Sequence, residues 1–87
     1  MNKMRRKELA RIVSRLEALE ALRLEIKEEL GAVMDAEQEA FDNLPESLQE
    51  SERGQQMQDC LDAMESAMDD LEEIDIDGVR DQLYDIC

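Results

Sequence analysis

Apolar residues recur at helical spacing through the first half of the chain. When Leu9 is given position a of a heptad, nine of the eleven a and d positions up to residue 44 are apolar, and only Arg23 and Glu37 are not. Further apolar residues widen this stripe at positions e and g: Val13, Leu22, Met34 and Phe41. A stripe of this width is typical of a helix in a bundle. We therefore predict one long amphipathic helix over residues 3–43.

A turn follows this first helix. Pro45 has no amide donor and disfavours the helical conformation at the residue before it, so the helix should end near Asn43. Ser47 and Glu50 have the spacing of a capping box, and we expect a helical turn near Glu46–Gln49. The predicted turn region covers residues 44–51.

The second half of the chain has another apolar stripe. It comprises Met57, Leu61, Met64, Met68, Leu71, Val79, Leu83 and Ile86. At roughly 100° per residue these positions fall within about 120° of one another, which predicts a continuous second helix over residues 52–86. The alternative is a break at 75–78, where Asp77 would cap a short last helix.

Two long amphipathic helices joined by one turn predict an all-α fold, a single-domain antiparallel helical hairpin over residues 1–87. Each helix would meet only one neighbour, so we expect two copies to form a four-helix bundle. Leu19 and Ile26 should lie at the centre of the core. The predicted core and dimer positions are Leu9, Ile12, Leu16, Leu19, Ile26, Leu30, Val33, Phe41, Met57, Leu61, Met64, Met68 and Leu71.

The charge is distributed unevenly along the chain. The first 15 residues carry six basic side chains and one acidic one, whereas the remaining 72 carry four basic and 23 acidic ones. A hairpin would bring the basic start beside the acidic end of the second helix, and we expect the two to pair. Phosphate binding by the basic residues is the alternative, but no aromatic side chain accompanies them for stacking. We do not expect direct nucleic-acid binding.

The residue types present argue against catalysis. The chain has no His, which is the commonest general base and a common zinc ligand. Cys60 and Cys87 have neither a zinc spacing nor that of a redox pair, and we expect reduced thiols. The segment 75–78 has too few spaced acids for a calcium loop. We predict no catalytic, cofactor or metal residues and, without an apolar run near 20 residues, no membrane span.

The segment around the predicted turn resembles a known group of proteins. Residues 35–54 read DAEQEAFDNLPESLQESERG. This stretch is similar to the signature of small helical proteins from phages and integrative elements of Gram-positive bacteria. Those proteins share a basic start, a long helix, this turn and a second helix rich in Glu, Ala and Leu. The resemblance implies a mobile-element context in the bacterial cytoplasm and no defined activity.

Two functions fit these features. One is an assembly or regulatory module that binds a second copy and a further protein through helix packing. The other is an anti-defence inhibitor whose acidic surface mimics DNA and blocks a nuclease or a restriction or CRISPR complex, since DNA carries one charge per about 1.7 Å of axis. The candidate acidic partner face lies at or beyond the margin of the second apolar stripe: Asp62, Glu65, Asp69, Glu72 and Glu73.

Overall fold

The fold is all-α, as the sequence predicts. A computed structural model describes the backbone of residues 2–86 and the side chains of residues 2–84, and within that range it contains helices and no strand. In chain order the helices are α1 (Lys3–Asp42), α2 (Glu46–Gln49), α3 (Glu52–Glu73) and α4 (Ile76–Ile86).

The turn after α1 forms at Pro45, as the sequence predicts, but Ser47 and Glu50 do not form the expected capping box, because Ser47 lies inside α2, whose cap has no side-chain hydrogen bond. The amides of Leu48 and Gln49 donate to the Pro45 carbonyl oxygen at 2.8 and 3.0 Å, which forms the short helix α2. The Gln49 side-chain amide donates to the carbonyl oxygens of Phe41 and Leu44, each at 3.1 Å. Gln49 thereby joins α2 to the end of α1 and to the residue before Pro45, and the Phe41 carbonyl oxygen also accepts the Leu44 amide at 3.0 Å.

The prediction of one continuous second helix is wrong. Helix α3 ends at Glu73 and α4 begins at Ile76. Asp75, and not Asp77, is the cap, because its Oδ1 accepts the Gly78 amide at 2.9 Å. In a continuous helix Ile76 would lie roughly 100° from the apolar stripe of α3. The break instead allows Ile76 to be buried, with 7% of its surface exposed.

The helices form two compact units. Unit 1 contains the residues up to Glu25 and those from Ile74 onward, and unit 2 spans Ile26–Glu73. Within unit 2, Lys27 forms an ion pair with Glu72. Gly31 lies four residues after Lys27 and faces Met68, four residues before Glu72. The second part of α1 and helix α3 therefore run antiparallel inside this unit.

Few large apolar residues are buried among the described side chains. These are Val13, Leu61 and Ile76, with 5–7% of their surface exposed. Of the predicted core positions, Leu61 is buried, and the following eight are half-buried: Leu9, Leu16, Leu30, Phe41, Met57, Met64, Met68 and Leu71. The core of each unit is therefore thin, as expected where helices pack in pairs.

The remaining four predicted core positions are exposed in the single chain. The exposed fractions are 45% for Ile12, 49% for Leu19, 41% for Ile26 and 57% for Val33. All four occupy position d. Every a and e position from Leu9 to Leu44 is at least half-buried, so α1 turns its a and e side chains inward. Leu19 and Ile26 are therefore not buried within the single chain, and their place at the centre of a dimer core stays a prediction.

Two glycines in helices should respond oppositely to alanine. Gly54 is buried, and a Cβ there would lie 2.2 Å from the Gln49 carbonyl oxygen. Gly54→Ala must push α2 away from α3, so we expect a loss of about 1–3 kcal/mol in the free energy of unfolding. At Gly31 the nearest neighbour, Met68 Cε, would be 3.8 Å away, an ordinary contact. Gly31→Ala should therefore gain about 0.5–1 kcal/mol.

Urea unfolding of both variants at one protein concentration measures these changes. Gly31→Ala is the matched control, because it makes the same substitution inside a helix without the close backbone contact. A Gly54→Ala variant as stable as Gly31→Ala would show that the approach of α2 to α3 is not a constraint on the fold.

Candidate interaction surfaces

The longest exposed apolar feature is a row on α1. We call Ile12, Leu19, Ile26 and Val33 the d row, because they recur every seven residues along one helix. Leu22, at position g beside the row, is 49% exposed. Eleven large hydrophobic side chains are exposed among the described residues, whereas three are buried. Scattered exposed hydrophobics are ordinary on a protein surface, but an aligned row indicates a binding surface.

The basic start of α1 is a second exposed surface. Its cationic side chains make no hydrogen bond or ion pair with any other described side chain: Lys3, Arg5, Arg6, Lys7, Arg11 and Arg15. The expected pairing with the acidic end of the chain is therefore wrong for the described residues; Asp85 lies outside them. In α4 two acids pair within the helix instead. Arg80 Nη1 lies 3.5 Å from Asp77 Oδ1, and Arg80 Nη2 lies 3.2 Å from Asp81 Oδ1.

The net charge of the chain belongs to one of its two units. Unit 1 contains eight basic and eight acidic residues and is formally neutral. Unit 2 contains two basic and sixteen acidic residues, so it carries the entire net charge of −14. The acidic surface and the unpaired basic surface thus lie in different units.

The candidate acidic partner face lies on α3, within unit 2. All five of its side chains are exposed: Asp62, Glu65, Asp69, Glu72 and Glu73. Glu72 forms the ion pair with Lys27, and its side chain is 55% exposed. The other four make no ion pair with a described residue. The structure therefore brings the predicted residues together as a solvated acidic face.

A small polar cluster in unit 1 was not predicted from the sequence. The Tyr84 hydroxyl donates to Glu17 Oε1 at 2.9 Å, and the Arg80 guanidinium carbon lies 6.0 Å from the centre of the Tyr84 ring. Beside it, α1 and α4 enclose a shallow groove of about 320 Å³ that Leu9 and Leu83 help to line. The hydrogen bond to Glu17 raises the pKa of Tyr84, because it stabilises the neutral phenol and the carboxylate charge repels phenolate.

An ion pair with Glu20 explains why a charged residue, Arg23, lies in the apolar stripe of α1. Arg23, at position a, donates from Nε to both carboxylate oxygens of Glu20 at 3.0 Å. This hydrogen bond lowers the pKa of Glu20 below its ordinary value of 4.5. The pair lets the aliphatic stem of Arg23 cover apolar surface while its charge is neutralised locally.

Two further features, a metal site and a membrane span, are absent from the described residues. No group of three or more Cys, Asp or Glu side chains among them is arranged to hold a metal ion. Nor does any helix in residues 2–86 combine the length and apolar character that crossing a bilayer requires. The predicted absence of catalytic and cofactor residues stays a prediction.

No protein family, curated protein or solved structure matches this chain. The resemblance of residues 35–54 to phage and integrative-element proteins therefore stays a prediction.

Tyr84 allows its contact with Glu17 to be measured directly, because it is the only tyrosine in the chain. An alkaline titration followed by tyrosinate absorbance should give a pKa above the ordinary 10.0. Since this pKa is raised in the folded state, the contact should stabilise the fold at neutral pH. That stabilisation should be lost as the pH rises through the folded-state pKa.

Glu17→Gln should bring the Tyr84 pKa back towards 10.0, because the amide removes the negative charge. Glu25→Gln removes a carboxylate from the same helix away from the ring and is the control. Equal pKa values in the wild type and in Glu17→Gln would show that the hydrogen bond does not form in solution.

Proposed function

We propose that this protein is a non-catalytic interaction module that works as a helical hairpin and dimerises into a four-helix bundle. The observation that carries the proposal is the excess of exposed over buried large hydrophobic side chains, eleven against three among the described residues. A chain that buries so little apolar surface by itself gains stability when a partner covers the remainder.

The form of the exposed surface favours helix packing as the mode of binding. The d row follows one side of a 40-residue helix. Partners that recognise such rows are themselves amphipathic helices, whose side chains enter the spaces between successive turns. The module would therefore assemble with, or regulate, proteins that present a helix, beginning with a second copy of itself.

The biological setting rests on the resemblance at residues 35–54. Proteins with that signature belong to phages and integrative elements, so we propose that the module acts in the cytoplasm of a bacterial host. Its further partner is a protein, since the chain is strongly acidic overall and nucleic acid would be repelled.

A second candidate function is inhibition by DNA mimicry. It is favoured by the concentration of the whole net charge of −14 in unit 2. Helix α3 carries eight acids over 22 residues, or about one per 4 Å of helix at 1.5 Å per residue. Duplex DNA carries one charge per about 1.7 Å. The lower density makes mimicry the second reading and not the first.

The dimer is tested by mass. Sedimentation equilibrium at micromolar concentration should give twice the chain mass of 10.0 kDa, because two copies cover each other's exposed apolar side chains. A folded species that stays at 10.0 kDa across the concentration range would contradict the proposal.

Mimicry is tested by neutralising the acidic partner face. The variant combines Asp62→Asn, Glu65→Gln, Asp69→Asn, Glu72→Gln and Glu73→Gln. Its fold should be retained, because substitutions of the four exposed acids without an ion pair cost less than about 0.5 kcal/mol each and loss of the exposed Lys27–Glu72 pair costs about 1 kcal/mol or less. A mimic should inhibit DNA cleavage by at least one of a panel of restriction and CRISPR nucleases, and this variant should lose at least tenfold in inhibition.

The matched control removes the same five charges from elsewhere in unit 2: Glu28→Gln, Asp35→Asn, Glu39→Gln, Glu50→Gln and Asp70→Asn. Inhibition should survive in this control and should weaken as salt is raised. If the wild type inhibits no nuclease, or if both variants inhibit equally, the acidic partner face is not a mimic of DNA. The assembly role would then stand alone.

A further inference from the structure

We propose that the d row of α1 is the seam of an antiparallel homodimer, in which α1 of one chain packs along α1 of a second copy. This inference rests on the proposed dimer and adds the surface and the orientation to it. The contact between the two copies is thereby defined as α1 against α1 along the d row.

The d row has the spacing of a helix seam. Ile12, Leu19, Ile26 and Val33 recur every seven residues, the repeat that keeps one line of side chains facing a partner helix. All four are 41–57% exposed, while the a and e positions face the chain's own helices. Intrachain packing therefore leaves this line free for a second chain.

The charge along α1 selects a second copy in antiparallel orientation. Residues 3–15 contain six basic side chains and one acidic one, whereas residues 28–42 contain six acidic side chains and no basic one. A parallel pair would set like charges together at both ends. An antiparallel pair sets the basic end of each chain beside the acidic stretch of the other, which is favourable at both ends.

Individual positions fit the same arrangement. If the two helices cross-pair around the point between Leu22 and Arg23, Ile12 meets Val33 of the second copy and Leu19 meets Ile26, so every residue of the row has an apolar counterpart. Arg15 and Glu29 are both exposed, both occupy position g and lie seven residues on either side of Leu22. Position g borders the seam, where charged side chains set orientation.

The d row and the charged residues beside it are therefore complementary to the same surface of a second copy, in apolar contacts and in charge. An isologous two-fold interface requires this property, because each residue i that meets residue j is repeated as j meeting i. Arg15 and Glu29 would form two such pairs in one dimer. Neither side chain has an ion-pair partner among the described residues of its own chain.

Charge reversal tests the orientation. Arg15→Glu alone and Glu29→Arg alone each set like charges opposite one another twice, so each should weaken dimerisation about tenfold at low salt. The double variant Arg15→Glu/Glu29→Arg restores opposite charges and should return to within about threefold of wild type. The measurement is the dimer dissociation constant by sedimentation equilibrium.

The matched control uses Lys7→Glu and Glu28→Arg, singly and together. Both residues occupy position f, away from the seam, and the substitutions change the net charge by the same amounts. Here the double variant should show only the sum of the two single effects. Recovery specific to the pair Arg15 and Glu29 supports the proposal, and the same recovery in the control pair overturns it.

Disulfide trapping gives an independent readout of orientation. In a background of Cys60→Ser and Cys87→Ser, an Ile12→Cys chain mixed with a Val33→Cys chain should cross-link to each other under mild oxidation. Cross-linking of Ile12→Cys chains among themselves would indicate parallel pairing and would overturn the inference.

The dimer and its seam can be tested separately. A wild-type chain that is monomeric removes both the dimer and the seam. A stable dimer without coupling between Arg15 and Glu29 and without the mixed cross-link leaves the proposed interaction module standing and overturns the d row as its seam.

Discussion

Helix α1 carries an apolar stripe that is wider than its own chain covers. Its a and e positions are at least half-buried, while the four d-row side chains stay 41–57% exposed. Burial of apolar area contributes roughly 25 cal/mol per Å², and a chain of this size has little to spare. This incomplete coverage is the constraint on which the thin cores, the exposed row and the proposed dimer all depend.

A local cap at Asp75 marks the start of the last helix, α4. Helix α3 ends at Glu73, and Asp75 accepts the Gly78 amide at the start of α4, whose first residue Ile76 is buried. In unit 1, α4 then presents Tyr84 to Glu17 and keeps Arg80 with its own acids. The cap at Asp75 thus lies at the start of the helix whose Tyr84 contacts α1.

The sequence is sufficient for the helical class and for the turn, because Pro45 and the periodic apolar positions are strong local signals. It is insufficient for the break, since Val79 and Leu83 stay in phase with the earlier stripe across Asp75. The sequence also does not show which side of α1 packs against its own chain. A stripe of a, d and e positions can pack through its a and e side or through its a and d side. The uneven charge led to the wrong expectation that the basic start of α1 pairs with Asp77 and Asp81 of α4. Those acids pair with Arg80 of their own helix instead, where neighbours three residues apart meet at low entropic cost.

The separation of charge between the units would orient the two copies in the proposed dimer. Unit 2 holds the entire net charge of −14, so two copies of it repel each other when brought side by side, whereas unit 1 is neutral with an unpaired basic start. Apolar contact along the d row has no direction of its own, because its four residues are nearly equivalent. Orientation must come from charge, and the only arrangement of two α1 helices that opposes unlike charges at both ends is the antiparallel one.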